Sequence, residues 1–284
     1  MSGAMSFRER LEAARSIDEV IEIMERVSEA SAGHRAFASA RELQVHSQRA
    51  TLCDGEIGLP LVCLPPFMPG SGAFQFTELA KAFAGRRSLT VVPNPGFATG
   101  EDPPASLPAL SEALAGLVCD AACGEPFVLV GYSGGGVIAH GVASRLERLE
   151  APLCGLIVLD TFVAADRDTG RLIAAVIADL ARRPSSRLML SERQLIATGA
   201  YIRLFRDWSP GPLRTPSLML HASRPLPGVT DGDRTAGYAL AAAHVDVPGD
   251  HFSILEADAA TTAQPMERWI RGLEPEPARA HAHG

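Results

Sequence analysis

No apolar run in this 284-residue chain approaches the roughly 20 residues that a membrane-spanning helix needs, which excludes an integral protein of the helical kind. Basic blocks are also missing. Lysine and arginine total 26 against 33 acidic residues, so the net charge is −7 and nucleic acid is not an expected partner. Cysteine is sparse and odd in number: Cys53, Cys63, Cys119, Cys123 and Cys154 are five thiols in apolar surroundings, without the paired spacing of a disulfide framework. Cys119 and Cys123 lie one helical turn apart, but no cluster of further Cys or His accompanies them. They read as small hydrophobes, and no metal site is expected. The N-terminal stretch from Phe7 to Arg15 is charged throughout and does not resemble a secretory leader, so a cytoplasmic protein is expected. Met1-Ser-Gly-Ala-Met5 hints at an excised start and leaves open whether the natural chain extends upstream.

What the chain does have is a large apolar fraction, 46%, organised as alternating strands and helices. Buried-strand patterns occur at Leu59–Leu64, Ser88–Val92, Phe127–Val130, Gly155–Leu159, Ser217–His221 and His244–Val247. Helical patterns occupy Phe74–Phe83, 106–122, 134–148 and 261–271. Continuous apolar strands separated by helices predict an α/β fold with a mainly parallel sheet covered on both faces. Two segments break the rhythm. Residues 1–40 form a helical appendage, in which Ser16-Ile-Asp-Glu19 is a capping box ahead of an apolar stripe at Ile17, Val20, Ile21, Met24 and Val27. That stripe must be covered, either by its own domain or by a second copy; pairing with a copy is the reading preferred here. The second break is the insertion at about 163–212, with helical patterns at 168–182 and 191–206, which predicts a lid above the carboxyl edge of the sheet. The main domain thus spans 41–274, and the Pro-rich end, 275–284, is expected to be disordered.

The stretch Phe127-Val-Leu-Val-Gly-Tyr-Ser-Gly-Gly135 carries the chemistry. It is a G-x-S-x-G turn between a buried strand and a helix, the nucleophile elbow. The turn strains the serine backbone, and side chains on the flanking glycines would collide with neighbouring elements. Ser133 is therefore the candidate nucleophile. The amide of Gly134, at a helix N-terminus, is a candidate oxyanion donor. A serine hydroxyl needs a base held by a third group. Of eight histidines, His34 and His46 precede the first predicted strand, and His281 and His283 lie in the tail. His140 sits two turns along the elbow helix, while His221 and His244 lie in strands. His251 alone lies on a loop just after the last strand, at the edge where the elbow opens.

The acid has two solutions: Asp160, ending the strand Gly155–Leu159, or Asp231/Asp233, in a segment that reads as a solvated loop. Asp250 reads as a loop-shaping residue. The second oxyanion amide should come from Leu64-Pro-Pro-Phe-Met-Pro69, where prolines have no N–H and the choice narrows to Phe67 or Met68.

Together these residues resemble the thioesterase domains that terminate modular type I polyketide synthases, within the α/β-hydrolase superfamily. Cys63-Leu-Pro-Pro-Phe-Met-Pro-Gly-Ser-Gly72 with Phe76 is similar to the family's oxyanion loop. Pro93-Asn-Pro-Gly-Phe97 is similar to its proline-glycine loop, and Gly131–Gly135 to its elbow. Leu156-Ile-Val-Leu-Asp160, Thr198–Leu204 and Val247-Pro-Gly-Asp-His-Phe252 complete the match. The resemblance selects Asp160 as the acid and implies substrate contact at Tyr201 and Tyr132, the latter at a position where histidine is frequent. It further implies a homodimer and transfer of a polyketide chain from the phosphopantetheine arm of an acyl carrier protein onto Ser133. Release follows as a macrolactone or a linear acid, with no cofactor. The lid residues Arg171, Arg203 and Arg206 read as exposed helix arginines. A stand-alone editing thioesterase, a carboxylesterase and a non-catalytic binding module are the rivals.

Overall fold

The computed structural model describes residues 10, 13–32, 36–43, 48–182 and 191–274. Met1–Met5, His34, His46 and the tail with His281 and His283 lie outside the described residues.

Seven strands form one sheet: β1 (Ala50–Cys53), β2 (Leu61–Leu64), β3 (Leu89–Val91), β4 (Phe127–Tyr132), β5 (Leu153–Leu159), β6 (Ser217–Ala222) and β7 (Ala243–Val247). Their spatial order is β1-β3-β2-β4-β5-β6-β7. All neighbours pair in parallel except β1, which runs antiparallel to β3 at the edge. Strand β1 has no apolar run to announce it. It is a short, half-buried edge strand, and only pairing with β3 defines it.

Period-two alternation divides the core cleanly. Val62, Leu64, Leu129, Leu156, Val158 and Met219 face one side of the sheet, packed with helices α3 (Leu107–Ala121) and α4 (Gly134–Arg148). Leu61, Cys63, Val128, Val130, Ile157 and Leu220 face the other, against α2 (Thr77–Phe83) and α8 (Ala259–Arg271). Ser106 caps α3 by accepting the Ala109 N–H at 3.2 Å.

The N-terminal helix α1 (Ile17–Ala32) packs on the inserted helices α5 (Thr169–Ala181) and α6 (Glu192–Phe205) of its own chain. Ile21 and Met24 are fully in the core, and Ile17 and Val20 pack against it. The backbone approach is close: a Cβ on Gly199 of α6 would lie 2.5 Å from the Met24 carbonyl carbon. This corrects the reading of the 17–27 stripe as a surface for a second copy. Helices α5 and α6 cover Ile21 and Met24 within the chain, while Ile17, Val20 and Val27 are half-buried. The start of α1 is also a half box: Ser16 Oγ accepts the Glu19 N–H, whereas the Glu19 carboxylate accepts from the Arg15 amide.

Below the sheet, Arg87 ties the last helix to the strand edge. It is 3% exposed and reaches Glu267 at 2.6 Å, Glu274 at 2.7 Å and the Leu59 carbonyl at 3.2 Å. Both carboxyls are held below their ordinary range; burial opposes this at Glu267, and the guanidinium outweighs it. Removing the cation would leave two partly buried carboxylates without it. Arg87→Met is therefore expected to lower the unfolding free energy by about 3–5 kcal/mol, seen as a fall in urea midpoint at constant slope.

Candidate functional site

Strand β4 runs into Ser133, whose backbone sits at φ 53° and ψ −129°. An ordinary L-residue avoids that region, so the neighbours must over-determine it. Three of them are glycines. A Cβ on Gly131 would lie 2.5 Å from the Gly135 carbonyl oxygen, one on Gly135 would strike the carbonyls of Leu64 and Pro65, and one on Gly136 would strike Thr161. The Ser133 amide donates to the Leu159 carbonyl at 2.9 Å, and its carbonyl accepts the Thr161 hydroxyl at 2.7 Å. Thr161 was not singled out by sequence. A third glycine after the serine was the available signal, because Gly136 makes the space that Thr161 fills.

The structure brings Ser133, His251 and Asp160 together. His251 Nε2 lies 3.0 Å from Ser133 Oγ, and His251 Nδ1 lies 2.7 Å from Asp160 Oδ2. The second carboxylate oxygen, Oδ1, accepts the Ala222 N–H at 2.9 Å. All three residues are buried: Ser133 is 7%, Asp160 3% and His251 1% exposed. The carboxylate is thus held by two strand ends, since Asp160 follows β5 and Ala222 closes β6. The His251 loop is shaped by Asp250, whose Oδ1 accepts the amides of Phe252 at 3.1 Å and Ser253 at 2.9 Å.

The other acid candidates lie elsewhere. Asp231 and Asp233 are not in a solvated loop but open helix α7 (Asp231–Gly237). Asp233 is fully buried and completes a capping box with Thr230. Burial alone would raise its pKa, but Arg171 together with Thr230 and the Ala165 amide pull it down to about 2. The sequence Thr230-Asp-Gly-Asp233 carried the box signal; its Gly and Asp residues disguised it as a turn.

Phe67 and Gly134 are brought side by side, for a Cβ on Gly134 would lie 2.7 Å from the Phe67 ring. The β2 loop carrying Phe67 and Met68 is pinned by Asn94, whose side-chain amide donates to the Pro65 carbonyl at 2.8 Å. Met68 is buried in the core beneath this loop. Above Ser133 opens a narrow apolar chamber with a cavity volume of about 50 Å³. Phe67 and Val137 form its floor. Phe162, Ile173, Val176 and Phe205 form its walls, with Trp208 and Arg206 also lining it. Arg206 pairs with Glu25 of α1 at 2.6 Å, joining this lining to the N-terminal helix.

Two expected substrate contacts are corrected. Tyr132 is an even-numbered residue of β4 and so faces α2 and α8, across the sheet from the chamber. Its hydroxyl donates to the His251 carbonyl at 2.7 Å, and its ring stacks on the imidazole at 5.3 Å. Tyr201 is fully buried behind Phe67, stacked on it at 5.5 Å, with its hydroxyl on the Pro95 carbonyl at 3.0 Å. The inserted arginines are not simply exposed either. Arg171 is paired with Asp166 and Asp233, and one guanidinium nitrogen of Arg203 is buried.

The remaining described histidines are structural in position. His140 is buried edge-on to Trp208. His221 is buried and His244 exposed, their ring nitrogens 3.2 Å apart. Among the described residues no three His, Cys, Asp or Glu side chains form a metal-binding group, and no helix is long and apolar enough to cross a membrane. The five thiols are free, with Cys63 buried but Cys123 exposed at a turn with φ 55°, so the small-hydrophobe reading fails there.

A Ser–His–carboxylate hydrogen-bond chain at the carboxyl edge of a helix-covered, mainly parallel sheet defines an α/β-hydrolase fold. Within that class, the chain belongs to the thioesterase domain family, whose model matches residues 59–269. It is 38% identical over 223 residues to polyketide synthase GfsE of Streptomyces halstedii, covering 78% of this chain and 6% of that protein. It is 35% identical over 218 residues to the spectinabilin polyketide synthase system protein NorC of Streptomyces orinoci, covering 75% and 10%. The chain therefore spans a small part of the curated relatives it matches. Solved structures share the fold. The type II thioesterase YbtT from the yersiniabactin NRPS/PKS pathway superposes with TM-score 0.62 at 20% identity, over 80% of this chain and all of that one. The Vlm2 thioesterase domain bound with a dodecadepsipeptide gives 0.59 at 24%, over 78% and 96%.

Two outcomes are expected from this geometry. Tyr132→Phe removes the bond to the His251 carbonyl while keeping the ring, and should lower kcat on an acyl thioester roughly 5- to 15-fold, the worth of one ordinary hydrogen bond, with KM unchanged. Second, burial pushes the His140 pKa from 6.5 down to about 4, against the opposing pull of the Gly211 carbonyl and Glu147. Burial lowers His221 as well. A folded value below the unfolded one means that the unfolded chain binds the proton first. Stability should thus fall as pH drops from about 6.5 to 4, and Tm measured across that window should fall less steeply in His140→Gln.

Proposed function

We propose that this chain is a chain-releasing thioesterase that takes an acyl chain from the phosphopantetheine thioester of an acyl carrier protein onto Ser133. The observation that carries the reading is the continuous hydrogen-bond chain Ser133–His251–Asp160 opening into an apolar chamber. The relatives support the setting, because the matched segment is a small part of much larger polyketide synthases.

In this reading His251, with Nδ1–H on Asp160, accepts the Ser133 proton at Nε2 as Oγ attacks the thioester carbonyl. The tetrahedral oxyanion is received by the amides of Gly134 and of Phe67 or Met68, each such donor contributing about 2.7–4 kcal/mol to the transition state. The C–S bond breaks, the thiol leaves with the proton from His251, and the acyl group remains as a serine ester. His251 then removes a proton from an acceptor hydroxyl, which attacks the ester and restores Ser133. An internal hydroxyl gives a macrolactone and water gives a linear acid. The apolar walls favour the first by holding the chain folded and keeping water out.

Incubation with a long-chain hydroxyacyl thioester, followed by intact-protein mass measurement, tests this directly. The parent should gain the acyl mass transiently and Ser133→Ala should not, with turnover reduced about a thousandfold or more. The mass of the released product separates lactone from acid. Full thioester consumption by Ser133→Ala, or no consumption by the parent across a panel of chain lengths, would overturn the proposal.

A further inference from the structure

The buried carboxylate that sequence nominated as an alternative acid has a different job, and its partners show what it is. Asp233 Oδ1 accepts the Ala165 N–H at 3.0 Å and the Arg171 guanidinium at 2.8 Å, while Oδ2 accepts the Thr230 amide at 2.9 Å and hydroxyl at 2.8 Å. Together these donors saturate a carboxylate with no exposed surface. Arg171 is equally committed. It forks onto Asp166 at 2.8 and 3.1 Å and donates to the Gly228 carbonyl at 3.1 Å, so a single side chain of α5 joins the segment before α5 to the 228–233 segment after β6.

The position of this cluster matters more than its strength. Ala165 directly follows Phe162, Val163 and Ala164, which line the chamber, and Arg171 directly precedes Leu172 and Ile173, which also line it. Two points of the wall formed by residues 162–176, at Ala165 and Arg171, are therefore tied to one buried oxygen, Asp233 Oδ1. On the far side of α5, a Cβ at Gly228 would lie 3.0 Å from Ala175, so the same loop abuts the helix. Helix α5 contributes few other anchors to the main sheet: its neighbours are α1 and α6, themselves parts of the helical cover.

We infer that Arg171 and Asp233 form a latch that sets the position of the 162–176 wall and thereby which acyl chains the chamber accepts. The inference rests on the thioesterase reading, since it concerns the acyl group delivered to Ser133. Arg171 and Asp233 are positioning residues: neither lines the chamber, and they act through Phe162–Ala164 and Leu172–Ile173. With the latch intact the wall is fixed and the apolar volume is defined. With it broken, α5 keeps its contacts to α1 and α6 but is released from the sheet side, and the chamber stops discriminating by length.

The test uses the full chain as parent, Arg171→Met, Asp233→Asn and the double variant. Each is assayed with acyl thioesters of a short and a long chain, and each is titrated with a small fluorophosphonate that labels Ser133 irrespective of the wall. The ratio of kcat/KM for long over short chains should change roughly tenfold in each single variant, the scale on which apolar pockets discriminate chains. Fluorophosphonate labelling should stay within about twofold of the parent. The double variant should match the singles, because the two side chains act as one unit. Amide exchange over 169–176 should accelerate at least about tenfold, while β4 and β5 remain protected. An unchanged chain-length ratio in Arg171→Met, with normal labelling, would overturn the latch while leaving the thioesterase reading standing. Equal loss on both chains would overturn it also, marking the cluster as a stability element only. Absence of turnover in the parent itself would strike the thioesterase reading instead.

Discussion

The structure depends on one backbone constraint, the left-handed conformation of Ser133 at the end of β4. An L-residue resists it, and nothing in the serine side chain compensates. The surroundings compensate instead. Gly131, Gly135 and Gly136 let the strand, the β2 loop and the segment after β5 close in to distances that a methyl group would forbid. Thr161 then bonds the strained carbonyl, and β5 receives the amide. The first turn of α4 is aimed by this knot, and its free amide end faces the β2 loop. Ser133, Asp160, the His251 loop and the β2 loop take their positions relative to that turn.

Asp160 repeats the device. Its backbone is also left-handed, at φ 40°, and its amide is bonded to Leu220 of β6 at 2.8 Å. Adjacent parallel strands thus end in two strained residues whose side chains converge on His251. The imidazole in turn is enclosed by rings: Tyr132 stacked at 5.3 Å, Phe162 at 5.7 Å and Phe252 edge-on at 5.1 Å. A ring held this tightly needs little reorganisation when it exchanges a proton, which is the physical meaning of preorganisation here. Phe162 both packs on His251 and lines the chamber, so the imidazole and the chamber share a side chain.

The helical cover shows how a site is enclosed without a second domain. Helices α5 and α6 bury apolar faces downward on the chamber and upward on α1. The N-terminal helix thus completes a three-layer stack whose lower surface the acyl chain would meet. Arg206 and Glu25 join the outer layers at the chamber, and Arg171 and Asp233 fasten the inner layer to the sheet side.

Much of this was legible in the residues themselves, because it rests on local geometry. Strand and helix order followed from apolar runs and their period. The elbow followed from glycines that only a tight turn requires, and His251 from its place just after the last strand. What the sequence could not decide were matters of facing and partnership. Whether the 17–27 stripe met its own chain or a copy depended on where α5 and α6 lay. Tyr132 belonged to the far face by period-two alternation, yet its bond to the His251 carbonyl spans 119 residues of chain, a contact no local pattern encodes. Asp233 and Asp160 are alike as sequence, each an acid after an apolar strand. Tertiary structure separated them, setting one carboxylate against an imidazole and burying the other under a guanidinium, because a buried charge takes its role from whichever partner the fold delivers to it.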